Sequence, residues 1–162
     1  MPPVIRRQLT LFVPPNDATV IEAIRSRYNP VQRALIDSHV TLCREDELVD
    51  LDRVLQNLHR CVPVVTIGFG MVLRSEAGKG VLLPAIAGQE DFQRLRETIL
   101  EGVVNMPRRQ EAHITLMHPR NATCTDAIFE EIRAYRLPAQ ITFNSVSLIE
   151  QVDGGPWRVL QA

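Results

Sequence analysis

Apolar residues recur along this chain in two rhythms, every second position in short stretches and every third to fourth in longer ones. Leu9-Thr10-Leu11-Phe12-Val13 is short, rich in β-formers and ended by Pro14-Pro15, which predicts a strand. Asn16 or Asp17 is then placed to cap a helix through about Arg27, with Val20, Ile21 and Ile24 on one face, and Asn29-Pro30 stops it. His39-Val40-Thr41-Leu42 reads as a strand. Acidic Glu45, Asp46 and Glu47 suit the start of a helix carrying Leu48, Leu51, Val54, Leu55 and Leu58. Val62 to Phe69 is a strand, Ser75 to Gly80 a turn, and Val81 to Ala87 the next strand.

A second cycle follows. Gln89 to about Val103 reads as a helix with Phe92, Leu95, Ile99 and Leu100 inward; Met106 to Arg109 is a loop, and Ala112 to Met117 a strand. Thr123 or Thr125 starts a helix through Tyr135, and Ile141 to Glu150 forms a strand. Asp153-Gly154-Gly155 turns the chain into a short strand, Trp157 to Leu160. Strand, helix, strand, helix, strand therefore occurs twice. The expected fold is α+β, one bilobal domain over residues 1–162 with approximate repeats 8–80 and 81–162. Each pseudo-symmetric lobe is a largely antiparallel sheet with helices on its outer face, and a central cleft lies between them.

The informative feature is a tetrad repeated at equivalent places in the two cycles. His39-Val40-Thr41-Leu42 and His113-Ile114-Thr115-Leu116 each occupy a second strand. Side chains alternate along a strand, so each tetrad turns an imidazole and a hydroxyl to one face and anchors two apolar residues behind. The chain has four histidines; two His-x-Thr-Leu runs arise by chance in roughly two of ten thousand chains of this composition. Two imidazoles across a cleft, with ordinary pKa values of about 6.5, make an acid–base pair near pH 7. That pair suits in-line attack at phosphorus, one taking a proton from water and the other protonating the leaving oxygen. The threonine hydroxyls are placed to hold non-bridging phosphate oxygens. A 2',3'-cyclic phosphate, with its internal leaving group, needs no metal for this.

Paired His-x-Thr-x tetrads, one per α+β repeat, resemble the two-histidine phosphoesterase superfamily, which includes bacterial 2'-5' RNA ligases and cyclic nucleotide phosphodiesterases. The resemblance implies metal-independent chemistry on 2',3'-cyclic phosphodiesters of nucleotides or RNA ends, with catalytic roles for His39, Thr41, His113 and Thr115. Members often carry a basic residue directly after a tetrad. Here Cys43 and Met117 stand there, and Arg44 and His118 follow one place later.

Composition narrows the partners. With 18 Lys plus Arg against 19 Asp plus Glu, and a net charge of -1, long duplex nucleic acid is not the expected ligand; a small nucleotide or RNA end is. The 45% hydrophobic content excludes a disordered chain. Lys79 is the only lysine, which reads as composition bias because the arginines are scattered. Cys43, Cys61 and Cys124 lack metal-ligand spacing and fit a reduced compartment. No apolar run suits a signal peptide or a membrane span, so a cytoplasmic monomer without cofactor or metal is expected.

Around the tetrads, Arg44, Arg109 and Arg120 are candidate phosphate contacts and His118 a candidate at the cleft edge, where Pro119 interrupts the strand. Phe12 and Trp157 read first as core packing, with base stacking as the alternative. His59 reads as a structural cation at a helix end, and Gly78-Lys79-Gly80 as a turn. The competing functional classes are a binding module for nucleotides or RNA termini without turnover, and a metallohydrolase using the histidines.

Overall fold

Alternation is visible in the central strands. In β2 (His39–Cys43) and β6 (His113–Met117) the histidines and threonines are half-buried, while Val40, Leu42, Ile114 and Leu116 behind them are sealed from solvent. The computed structural model describes all residues, Met1–Ala162. The other strands are β1 (Ile5–Phe12), β3 (Val65–Phe69), β4 (Leu73–Ser75), β5 (Gly80–Ala87), β7 (Gln140–Phe143), β8 (Ser147–Val152) and β9 (Trp157–Gln161). The helices are α1 (Pro15–Tyr28), α2 (Pro30–Leu35), α3 (Leu51–His59), α4 (Gln89–Ile99) and α5 (Asp126–Arg133).

The strands form one sheet in the order β7-β3-β5-β6-β2-β1-β8-β9, with β4 beside β5. Every pairing is antiparallel. The third strand of each cycle crosses over: β3 pairs with β5, and β8 pairs with β1. Helices cross in the same way, α1 packing on β6 and α4 on β2 and β3. A single cluster of 29 buried apolar residues runs through both halves, so they share one core.

The sheet cannot be flat. β7 and β8 stand six places apart in its order, roughly 29 Å at the usual strand spacing. Only residues 144–146 join them, a link that reaches at most roughly 14 Å. The sheet is therefore bent into two lobes, and the bend falls where β2 and β6 meet through one bridge pair, Val40 with Ile114.

Several boundaries differ from the sequence expectation for identifiable reasons. The run Ile141 to Glu150 is two strands, because Asn144, Ser145 and Val146 carry the chain from one lobe to the other. β1 begins earlier, at Ile5, where it pairs with β8. β3 begins later, at Val65, opposite Phe143; Pro63 lies outside the ladder. Pro14, not Asn16 or Asp17, is the N-cap of α1, and Pro15 takes the first helical position, where its missing N–H costs nothing. Pro30 likewise starts α2, which was not expected. Glu45–Glu47 form a separate 3-10 turn, and α3 starts after Asp50, whose carboxylate accepts from Arg53 N at 3.2 Å. α4 stops at Ile99, before Gly102 in the left-handed region. β4 completes a hairpin with β5 around the expected turn. Of the two caps proposed for α5, Thr125 is the one that accepts from Ile128 N.

Candidate active site

Val40 and Ile114 form the one bridge between β2 and β6, so His39 and Thr41 flank it on one strand and His113 and Thr115 on the other. Side chains alternate along a strand, so the four polar groups share the face opposite the buried Val40 and Ile114. All four line one cavity of about 540 Å³ at the bend.

The two histidines are held alike. His39 Nδ1 lies 2.8 Å from the Asp37 carbonyl, and His113 Nδ1 lies 2.9 Å from the Glu111 carbonyl. A carbonyl only accepts, so Nδ1 carries the proton and donates it in both rings. In the neutral form each Nε2 is then left with its lone pair. Burial pushes the His39 imidazole down to about 4, against the Asp37 carbonyl bond, and the charges of Arg25 and His113 push the same way as burial. Arg25 is itself buried; it donates to Glu22 Oε1 at 2.5 Å and to the Ile36 carbonyl at 2.7 Å.

Polar neighbours fix the approach to each tetrad. Gln8 Nε2 donates to Thr10 Oγ1 at 2.8 Å and stands 3.5 Å from Thr41 Oγ1. On α4, Gln89 and Gln93 grip residues 108–112: Gln89 Oε1 accepts from Ala112 N at 2.9 Å, and Gln93 Nε2 donates to the Arg108 carbonyl at 3.0 Å. Buried Arg96 joins both sides, donating to the Leu42 carbonyl at 2.5 Å, to the Glu47 carboxylate at 3.0 and 2.6 Å and to the Arg108 carbonyl at 3.0 Å. One helix face thereby ties the end of β2 to the start of β6.

Among the auxiliary candidates, Arg44, His118 and Arg120 line the cavity. Neither Arg44 nor Arg120 is among the arginines paired with a carboxylate. Arg120 Nη2 donates to His118 Nε2 at 2.9 Å, and the Arg120 N–H faces Nδ1 at 3.2 Å. Burial and the Arg120 charge hold His118 below the ordinary histidine value. The loop is anchored by Asn29, which accepts from His118 N at 2.7 Å and donates to Asn121 Oδ1 at 2.8 Å.

Arg109 and Phe12 do not line the cavity. Arg109 is exposed and tied to Glu90 and Glu111, each at 3.1 Å, because the loop before β6 turns its side chain toward α4 and those carboxylates. Phe12 pairs with His39 across β1 and β2 and stands edge-on to it at 6.3 Å between ring centroids. His59 caps no carbonyl with its ring; Nε2 lies 2.8 Å from Gln161 Nε2. Sequence reasoning missed Arg6, Gln8, Arg25, Gln32 and Gln110 in the lining, and it ranked Trp157 as core, although that ring lines the cavity half-buried. Alternation along β1 marks Arg6, Gln8 and Thr10 as one face; the other positions depend on tertiary contacts. No group of three or more His, Cys, Asp or Glu residues stands where it could hold a metal ion, and no helix is long and apolar enough to cross a membrane.

The fold matches solved structures across nearly its whole length. E. coli LigT complexed with NADP+ superposes with a TM-score of 0.65 at 14% identity, over 99% of this chain and 96% of that one. A protein described as a phosphoesterase gives 0.60 at 14% identity, over 97% and 94% of the two chains. E. coli LigT complexed with 3'-AMP gives 0.57 at 14% identity, over 99% and 100%. No curated protein sequence matches the chain. The family model of the 2'-5' RNA ligase superfamily matches residues 13–155, a span that contains both tetrads and every strand except β1 and β9, and the chain belongs to that superfamily.

Proposed function

We propose that the cavity is the active site of a metal-independent phosphoesterase acting on 2',3'-cyclic phosphodiesters of nucleotides or RNA ends. One observation carries this reading: two His-x-Thr pairs share a sheet face around the Val40–Ile114 bridge, with both imidazoles fixed at Nδ1. His39, kept neutral by its surroundings, takes the general-base role, and His113 the general-acid role. A water oxygen attacks phosphorus as its proton passes to His39 Nε2. The bond from phosphorus to one ribose oxygen breaks in line, and that oxygen takes a proton from His113 Nε2. Thr41 and Thr115 donate to the non-bridging oxygens, where negative charge grows. Arg44 and Arg120, at opposite tetrad ends, supply positive charge to the phosphate and its neighbours. The product is a 2'- or 3'-monophosphate, and proton exchange with solvent resets the pair.

The test is turnover of 2',3'-cyclic AMP and of RNA ending in a cyclic phosphate, with and without a chelator. His39→Ala and His113→Ala are each expected to slow the chemical step by roughly 100-fold to 10,000-fold. The double variant should lose far less than the product of the two, since the pair acts as a unit. Near-normal turnover by either single variant overturns the acid–base reading. Tight nucleotide binding without turnover would instead favour a pure recognition module.

A further inference from the structure

We propose that Arg6 and Trp157 form the nucleobase platform of the cavity, on which the base of the reacting nucleotide stacks. This rests on the reading of the cavity as a nucleotide site and adds where the base lies.

Three side chains stand in a row across the sheet. Arg6 on β1 pairs with Gln151 on β8, which pairs with Trp157 on β9. The Arg6 guanidinium lies 5.4 Å from the centroid of the indole. Its Nε donates to Glu45 Oε1 at 3.2 Å and its Nη1 to Gln151 Oε1 at 3.3 Å. With Nε and Nη1 engaged, one donor of each bidentate pair is taken by the protein and Nη2 is the nitrogen left free. The guanidinium is thereby held in place, with its planar face backed by an aromatic ring. That surface suits an aromatic base, through stacking and cation–π attraction.

The rest of the lining reinforces the assignment. Only two of the sixteen lining residues are hydrophobic, and Trp157 is the only aromatic one apart from the histidines. A base entering this polar cavity therefore has one aromatic stacking surface besides the imidazoles. Thr10, opposite Thr41, lies four residues along β1 from Arg6, roughly 13 Å between Cα atoms, so the platform and the tetrads are separate stations of one cavity. Arg44 lies on the same side, past the end of β2, where it reaches the phosphate without competing for the base.

Trp157 is the chain's only tryptophan, so its emission reports the platform directly. Two probes are compared by fluorescence and by calorimetry: 3'-AMP and its base-free counterpart, ribose 3-phosphate. On the wild-type protein, 3'-AMP is expected to change the tryptophan emission and ribose 3-phosphate to leave it unchanged. Arg6→Ala and Trp157→Leu should each weaken 3'-AMP binding roughly tenfold or more, the scale of one lost base stack. Binding of ribose 3-phosphate should change less than twofold. Unchanged emission at saturating 3'-AMP, or equal losses for both probes in the variants, overturns the platform. Turnover of 2',3'-cyclic AMP by the wild type separates the two readings. Base-dependent binding without turnover keeps the platform and removes the catalytic reading. Turnover with binding indifferent to the base removes the platform alone.

Discussion

Replacing Arg96 by methionine is expected to destabilise the protein by about 3–5 kcal/mol, the cost of stranding a buried charge. Arg96 is fully buried, and Glu47 is only 2% exposed. Without the guanidinium, the carboxylate keeps the Arg44 N–H at 2.9 Å and a longer approach from Arg108 Nε at 3.4 Å. The Leu42 and Arg108 carbonyls lose their donor from Arg96 at the same time. Burial works against the Glu47 charge, but the Arg96 bonds, the Arg44 N–H and the Arg96 and Arg108 charges outweigh it and hold its pKa below the usual range. The stability this carboxylate gains from its charged partners is therefore present above its unfolded pKa and is lost as pH falls through the lower folded value. For a chain of this length the single substitution should lower Tm by about 10 °C or more. Urea unfolding at pH 7 measures it against the double variant Arg96→Met with Glu47→Leu. Removing both charges should recover much of the loss, because no stranded ion remains. A single variant within 1 kcal/mol of wild type, a threshold below the typical cost of one lost buried bond, would refute the reasoning. So would a double variant no more stable than the single.

Four further outcomes are expected. The acid limb of kcat/KM should lie near the His39 value of about 4, well below the roughly 6.5 of an ordinary histidine; a limb at the ordinary value would reassign the base. Stability should also fall between those two pH values, since the unfolded chain takes up the proton first, and a pH series of urea midpoints reads this. Thr41→Val and Thr115→Val should each slow turnover less than loss of either histidine, removing one phosphate donor while nearly keeping shape; losses equal to the histidine variants would make the hydroxyls participants in proton transfer. Asn29→Ala takes the acceptor from the half-buried His118 N–H and removes the tie to Asn121, which should cost about 1–3 kcal/mol and raise KM more than it lowers kcat, because the loop it anchors carries Arg120.

Much of the cavity was legible because strands obey a period of two. The tetrads place four polar groups on one face and four apolar anchors behind, and the burial of Val40, Leu42, Ile114 and Leu116 follows that pattern. The two-lobed α+β architecture was legible for the same reason. The crossover of β3 and β8 was not, since a hydrophobic run reports that a strand is buried and not which neighbour buries it. Ile141 to Glu150 looked continuous although its halves serve different lobes. Arg109 and Arg120 looked equivalent in sequence; Glu90 and Glu111 decide between them in space. Gln110 reaches the cavity from a loop, where no period marks the direction of a side chain; Arg25 lies one turn past Ile21 on the buried face of α1, where a charge interrupts the apolar pattern.

The crossover also governs how the molecule comes into being. Arg6 on β1 waits for Gln151, 145 positions later in the chain. Contacts of such separation slow folding, because the loop must close before any pairing rewards it. During synthesis β1 and β2 can pair early across α1 and α2, but the flank that carries the Arg6 row does not exist until residues 147–161 have emerged. Until then β1 presents an open edge that other chains can pair with. A nascent or truncated chain ending before β8 is thus a sticky and incomplete species, and the cavity becomes competent only when nearly the whole polypeptide is free to close on itself.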